Sequence, residues 1–115
     1  MTKQTLEIDE VMSHIEMMLN ERPEPIKNMK AIYLFDITDI DDGTYLLSIQ
    51  NGVAEVSKDA DKNKADCNLK MNTESFQKFL SGNLKGTVAF MTGKLKINGD
   101  MGKALQLESL LKQYK

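Results

Sequence analysis

Cysteine, histidine and tryptophan are almost missing from this chain of 115 residues, which holds one Cys, one His and no Trp. A lone Cys67 excludes an internal disulfide framework and a Cys-rich zinc site, and it fits a reducing, cytoplasmic location. A lone His14, flanking the apolar stripe of a helix and without a partner motif, leaves no nucleophile–His–acid triad to assemble. It reads as a partly exposed structural residue. No apolar run approaches the ~18 residues of a membrane span, and the opening MTKQTLEIDE is too polar for a signal peptide. Nor is positive charge in excess. Seventeen acidic against fifteen basic side chains leave a net charge of −2, which argues against a dedicated nucleic-acid binder.

What remains is 41% hydrophobic, enough to bury a core without staples, and the length predicts one domain over residues 1–115. The charges are segregated along the chain. Residues 1–66 hold 14 acidic and 7 basic side chains, a net of −7; residues 67–115 hold 3 and 8, a net of +5. Such segregation suits a charged interaction surface, although solvated faces alone would also produce it.

Over residues 6–21 the apolar residues Ile8, Val11, Met12, Ile15, Met18 and Leu19 fall in one stripe at helical spacing. Met17 lies opposite the stripe, and Pro23 and Pro25 end the helix. The period then changes. Residues 31–39, 44–50 and 53–58 are short β-prone runs separated by Asp42-Gly43 and Asn51-Gly52, dipeptides suited to tight hairpins. They predict a three-stranded antiparallel meander with the first strand central. After a charged linker over 59–66, Cys67, Leu69 and Met71 alternate with polar neighbours in a fourth strand. Thr73 is the expected cap of a short helix bearing Phe76, Phe79 and Leu80, with Gly82 as its stop. A helical turn over 87–91, a strand over 94–98 and a helix from Asp100 to about residue 114 complete the order. The fold class is α+β, with helices layered on a mainly antiparallel sheet.

The last helix has a buried-type stripe of Ala104, Leu107, Leu110, Leu111 and Tyr114, and a second apolar patch at Met101 and Leu105. That patch either packs on the neighbouring short helices or lines a cavity or its rim. Other motifs fail. Asp36, Asp39, Asp41 and Asp42 lack the ligand spacing and closing Glu of a calcium loop and read as a hairpin turn. Residues 86–94 lack the Walker spacing. Gly99-Asp100-Met101-Gly102 matches a GXXG spacing, but Asp100 would repel phosphate and serves better as a helix cap. The chain therefore reads as a non-enzyme with no cofactor and no metal.

The stretch Phe90-Met91-Thr92-Gly93-Lys94-Leu95-Lys96-Ile97-Asn98-Gly99-Asp100-Met101-Gly102-Lys103-Ala104-Leu105-Gln106-Leu107 strongly resembles the closing segment of the sterol carrier protein family, also called nonspecific lipid-transfer proteins. The Asp-Gly-Thr-Tyr hairpin at 42–45, the strand at 66–71 and the helix at 73–82 occur in matching order, so the resemblance covers nearly the whole chain. It implies a five-stranded sheet covered on one side by helices, enclosing an apolar tunnel for fatty acids, acyl-CoA or similar lipids. Lys103 and Glu108 depart from the family pattern, and a carboxylate near a tunnel must point to solvent or disfavour a wholly apolar ligand.

The expected ligand-binding residues are Phe76, Phe79, Leu80, Phe90, Met91, Met101 and Leu105, with flexible thioethers that adapt to ligands of varied shape. Lys94, Lys96 and Lys103 are expected to meet a lipid head group or an anionic membrane. The alternatives are an interaction or dimerisation module, possible as a homodimer, and an accessory factor presenting a lipid or quinone precursor to biosynthetic enzymes.

Overall fold

The structure is a computed structural model that describes residues 3–40, 43–58, 61–81 and 91–113. Among the described residues the main elements run α1 (Lys3–Glu21), β1 (Ala31–Ile37), β2 (Thr44–Gln50), β3 (Val53–Lys58), β4 (Cys67–Met71), α2 (Thr73–Ser81), β5 (Lys96–Gly99) and α3 (Met101–Lys112). Short 3-10 turns at Glu24–Ile26 and Lys62–Lys64 punctuate the chain after α1 and before β4. The five strands form one sheet in the order β3-β2-β1-β4-β5. The meander over β1, β2 and β3 is antiparallel, and β1 is central, as its two apolar faces predict. β4 then lies parallel to β1, the one parallel pairing among the described residues, and β5 is antiparallel to β4.

Register sorts the side chains into two faces, because successive residues of a strand point to opposite sides. On one face Lys58, Tyr45, Phe35, Leu69 and Ile97 form a row across the sheet. The next row on that face is Val56, Leu47, Tyr33, Cys67 and Gly99. These rows and the stripes of the three helices make the hydrophobic core. The other face carries Leu46, Leu34, Asn68 and Asn98 in one row and Thr44, Asp36, Lys70 and Lys96 in the next. Leu34 is fully buried on this face, and the polar residues around it account for the alternation of β2 and β4.

Two turns need special backbone. Asn51 and Gly52 have φ of 55° and 75°, the left-handed pair that a twisted two-residue hairpin requires. Gly99 has φ of 102°, and a Cβ there would stand 2.4 Å from the Asp66 carbonyl oxygen. The last strand can end against β4 only with glycine at that position.

α1 presents three faces. Ile8, Met12, Ile15 and Leu19 are buried in the core. A flank of Asp9, Ser13, Glu16 and Asn20 faces the edge strand β3. Asn20 donates its amide to the Ala54 carbonyl and accepts from the Ala54 N–H, both at 2.8 Å, and Glu16 Oε2 accepts from the Val56 N–H at 2.6 Å. Side chains thus occupy the outward backbone groups that leave an edge strand open to further pairing. The third face is solvent-exposed and includes Met17, as expected.

The α2 cap differs from the expectation. Asn72, not Thr73, closes the helix start, its Oδ1 accepting from the Ser75 N–H at 2.8 Å. Thr73 is drawn elsewhere: its N–H and hydroxyl both donate to Asp39 Oδ1 at 2.8 Å. That bond also shortens β1, which stops at Ile37 rather than at 39 so that Asp39 can reach α2. The Asp100 cap stands as expected, accepting from the Lys103 N–H at 3.1 Å. The expected helical turn over 87–91, apart from Met91, and the Gly82 stop lie outside the described residues.

Candidate functional site

α2 and α3 carry most of the residues that the family resemblance marks as ligand-binding. α2 turns Phe76 and Phe79 into the core, and Phe76 meets Phe35 of β1 edge-on with ring centroids 5.6 Å apart. This pairing suits the charge distribution of two aromatic rings. α3 buries Ala104, Leu107, Leu110 and Leu111. Met101 and Leu105, one helical turn apart and off that stripe, remain 41% and 46% exposed, and Met91 is 85% exposed. Among the described residues no helix covers Met101 or Leu105, and the second patch of α3 stands exposed; most of the expected neighbouring turn over 87–91 lies outside those residues. The side chains of Leu80 and Phe90 lie outside the described residues.

The basic candidates are dispersed. Lys94 is exposed in the loop before β5. Lys96 is in register with Lys70 on the polar face of the sheet, the side turned away from the core, whereas Ile97 points inward. Lys103 is engaged by the protein itself. Its ammonium donates to the Lys30 carbonyl at 3.0 Å and to Asp66 Oδ2 at 3.3 Å.

Sequence reasoning missed the junction around that lysine. Asp66 Oδ2 also accepts from the Ile32 N–H at 2.9 Å, and the Tyr33 hydroxyl donates to the Lys103 carbonyl at 2.7 Å. The Ile32 amide first, and Lys103 after it, hold the Asp66 carboxyl below its ordinary range. Burial, with Asp100 and Asp66 adding repulsion, pushes the Cys67 thiol up to about 11, and burial raises the Tyr33 phenol as well. A start for β1, a start for β4 and the first turn of α3 are thereby pinned to one another. Met101 and Leu105 rise directly from this pinned turn.

Among the described residues, two clefts lie on α1. One, of about 340 Å³, opens between α1 and the β2–β3 edge and is lined by Asp9, Met12, Ser13, Tyr45, Val56 and neighbouring Lys58. It forms where the small Ser13 interrupts the flank that Glu16 and Asn20 otherwise close. Asp9 is fixed at its mouth by the Tyr45 hydroxyl at 2.6 Å and the Lys58 ammonium at 3.3 Å. The other, of about 360 Å³, is lined by Asp9, Glu10, Ser13, His14 and Met17. The polar spacing 9, 13, 16, 20 along α1 was the sequence signal for this flank. Among the described residues no group of three or more metal-type ligands converges, and no helix is long and apolar enough to cross a membrane.

Residues 13–112 match the SCP-2 sterol transfer family, and the chain belongs to it. A curated relative, hydroxysteroid dehydrogenase-like protein 2 of Xenopus tropicalis, is 40% identical over 106 residues, which cover 92% of this chain but 25% of the relative. The chain thus spans about a quarter of that relative's length. Among solved structures, sterol carrier protein 2 from Yarrowia lipolytica in its apo form is 29% identical, covering 90% of this chain and 88% of that one with a TM-score of 0.69. Sterol carrier protein-2 from Aedes aegypti, solved with the C16 fatty acid palmitate, is 20% identical, covering 88% and 94% with a TM-score of 0.65; the likeness is one of fold.

Proposed function

We propose that this chain is a non-catalytic carrier that shields a lipid or fatty acyl ligand from water in apolar space between the sheet and the helices. The observation that carries the reading is the exposed Met101–Leu105 patch on α3, a helix whose adjacent face closes the core, in a chain of the SCP-2 sterol transfer family. An exposed apolar pair beside a core is where an acyl chain would enter. Phe76, Phe79, Leu80, Phe90 and Met91 would supply further walls. Lys94 would meet a carboxylate, a phosphate or an anionic membrane near the opening. Lys96 suits membrane contact from the polar sheet face, and Lys103 would have to exchange Asp66 for a head group. The reducing location that a free, buried Cys67 suits is the cytoplasm.

Ten methylenes buried from water gain roughly 8 kcal/mol gross. Ordering costs reduce this to an affinity on the order of micromolar. The dehydrogenase-like name of the longer relative is not carried over, since the match covers only a quarter of it. Native mass spectrometry of freshly purified protein, with uptake of a fluorescent fatty acid, tests the proposal. Adducts of lipid mass and saturable uptake are expected. An empty mass with no uptake would overturn it, and a tight dimer under the same conditions would favour an interaction module.

A further inference from the structure

The outward face of α1 is a straight ridge of Glu7, Glu10, His14, Met17 and Glu21, whose spacing of three and four residues places them in line, opposite the core stripe. All five are exposed. Met17 stands in the middle of the ridge, 51% exposed and beside the 360 Å³ cleft. Glu10 and Glu21 form no ion pair among the described side chains, and from Glu7 to Glu21 the ridge carries no Lys or Arg; Lys3, four positions before Glu7 on the same line, has its side chain outside the described ones. The bonds of Glu16 and Asn20 to β3 fix the helix, so the ridge is presented rigidly.

We infer that this ridge is a docking surface for a basic, amphipathic segment of a partner protein. An apolar side chain of the segment would seat on Met17 in the cleft, while its lysines or arginines meet Glu10 and Glu21 on the ridge. Charge decides the occupant. An anionic membrane would be repelled by the acidic ridge. A second copy joined through the same face would set Glu7, Glu10 and Glu21 against their own like, because a two-fold interface is self-complementary. A basic partner gains on both counts, and complementary charge would also speed its encounter.

The probe is a synthetic peptide of about 14 residues containing only Leu and Lys, patterned as an amphipathic helix, titrated into isotopically labelled full-length protein at low salt. Saturable amide shifts confined to α1 and β3 are expected. Met17→Ser, which leaves every charge in place, should weaken binding by about fivefold, as loss of a half-buried thioether contact implies. A Ser/Lys peptide of equal charge should bind at least as poorly. Shifts centred on α3, equal affinity for the Ser/Lys peptide, or indifference to Met17→Ser would each overturn the inference. No lipid enters this experiment, so its failure and failure of the carrier reading are distinguishable.

Discussion

Asp66 and Lys103, 37 positions apart in the chain, meet at 3.3 Å where β1, β4 and α3 all begin. The carboxylate is more than a surface partner, since the same oxygen takes the Ile32 N–H, and the aspartate's own carbonyl accepts from the Asp100 N–H at 2.9 Å. One residue therefore ties the helix bearing the exposed apolar patch to the two middle strands.

Asp66→Ala should cost about 1 kcal/mol at neutral pH, the worth of a charge-assisted bond after allowance for a carboxylate side chain that is partly exposed. The sign of its pH dependence follows from a folded pKa below the unfolded one. The stabilisation is present above the unfolded value near 3.9 and is lost as pH falls through the lower folded value. Urea titrations of both proteins should accordingly differ at pH 7 and converge in strong acid. A constant gap across that range would show that the aspartate acts through packing instead.

Glycine at 99 is predicted to be far less replaceable than glycine at 52. Both have positive φ, but a Cβ at 52 meets open space, whereas at 99 it would press on the Asp66 backbone at 2.4 Å. Gly52→Ala should cost about 1 kcal/mol, the conformational penalty alone. Gly99→Ala should cost upward of about 3 kcal/mol, because backbone rather than a flexible side chain must move. Thermal melts of the two variants give the comparison.

Much of this was legible from local pattern. The stripe of α1, the three-stranded meander and the Asp100 cap follow from periodicity and from turn and cap chemistry, which act over a few residues. The parallel placement of β4 beside β1 is a long-range choice that alternation in Cys67, Leu69 and Met71 does not express. The α2 cap was misassigned to Thr73 because Asp39, 34 positions upstream, claims that residue's N–H and hydroxyl. Among the site residues, the helical wheel set Met101 and Leu105 off the buried stripe of α3 but left open whether they pack on a neighbour or line a rim, and their exposure comes from the structure alone. The engagement of Lys103 with Asp66 and the Lys30 carbonyl was not, since both partners are distant in sequence and one is backbone.

Asn20→Ala should leave the Ala54 N–H and carbonyl of an edge strand without their side-chain partners, at a cost of about 2 kcal/mol for two bonds. Hydrogen exchange at the Ala54 amide reports it directly. Faster exchange at Ala54 with unchanged protection in β1 is the expected pattern. An Ala54 amide that stays as protected as before would mean that packing against α1, rather than the asparagine, guards this edge.

Cys67 should behave as a sealed thiol. It is fully buried on β4, and burial pushes its thiol up to about 11, so little thiolate exists at pH 8. Iodoacetamide should label the folded protein slowly and the urea-unfolded protein fast, with the folded rate set by opening of the sheet. Because the folded pKa is raised, the contribution of the neutral thiol to stability is complete below the unfolded value and declines as pH rises toward 11. Rapid labelling at pH 8 without loss of structure would contradict this placement.

The carrier reading turns on α3, and Met101→Ser with Leu105→Ser separates ligand binding from folding. Both side chains are substantially exposed, so the double variant should lose less than about 1 kcal/mol of stability. It should nevertheless weaken fatty acid uptake by about tenfold, the effect of removing two apolar contacts from an acyl chain at roughly 0.8 kcal/mol per buried methylene. Leu110→Ala offers the contrast. That residue is buried in the α3 stripe, so truncation should cost about 2–4 kcal/mol of stability through the cavity it leaves. Affinity measured on the fraction still folded should change far less than in the double variant. If instead uptake followed stability in both variants, the patch would have no part in ligand entry, and the walls of the site would have to be sought among Phe76, Phe79 and their neighbours in the core.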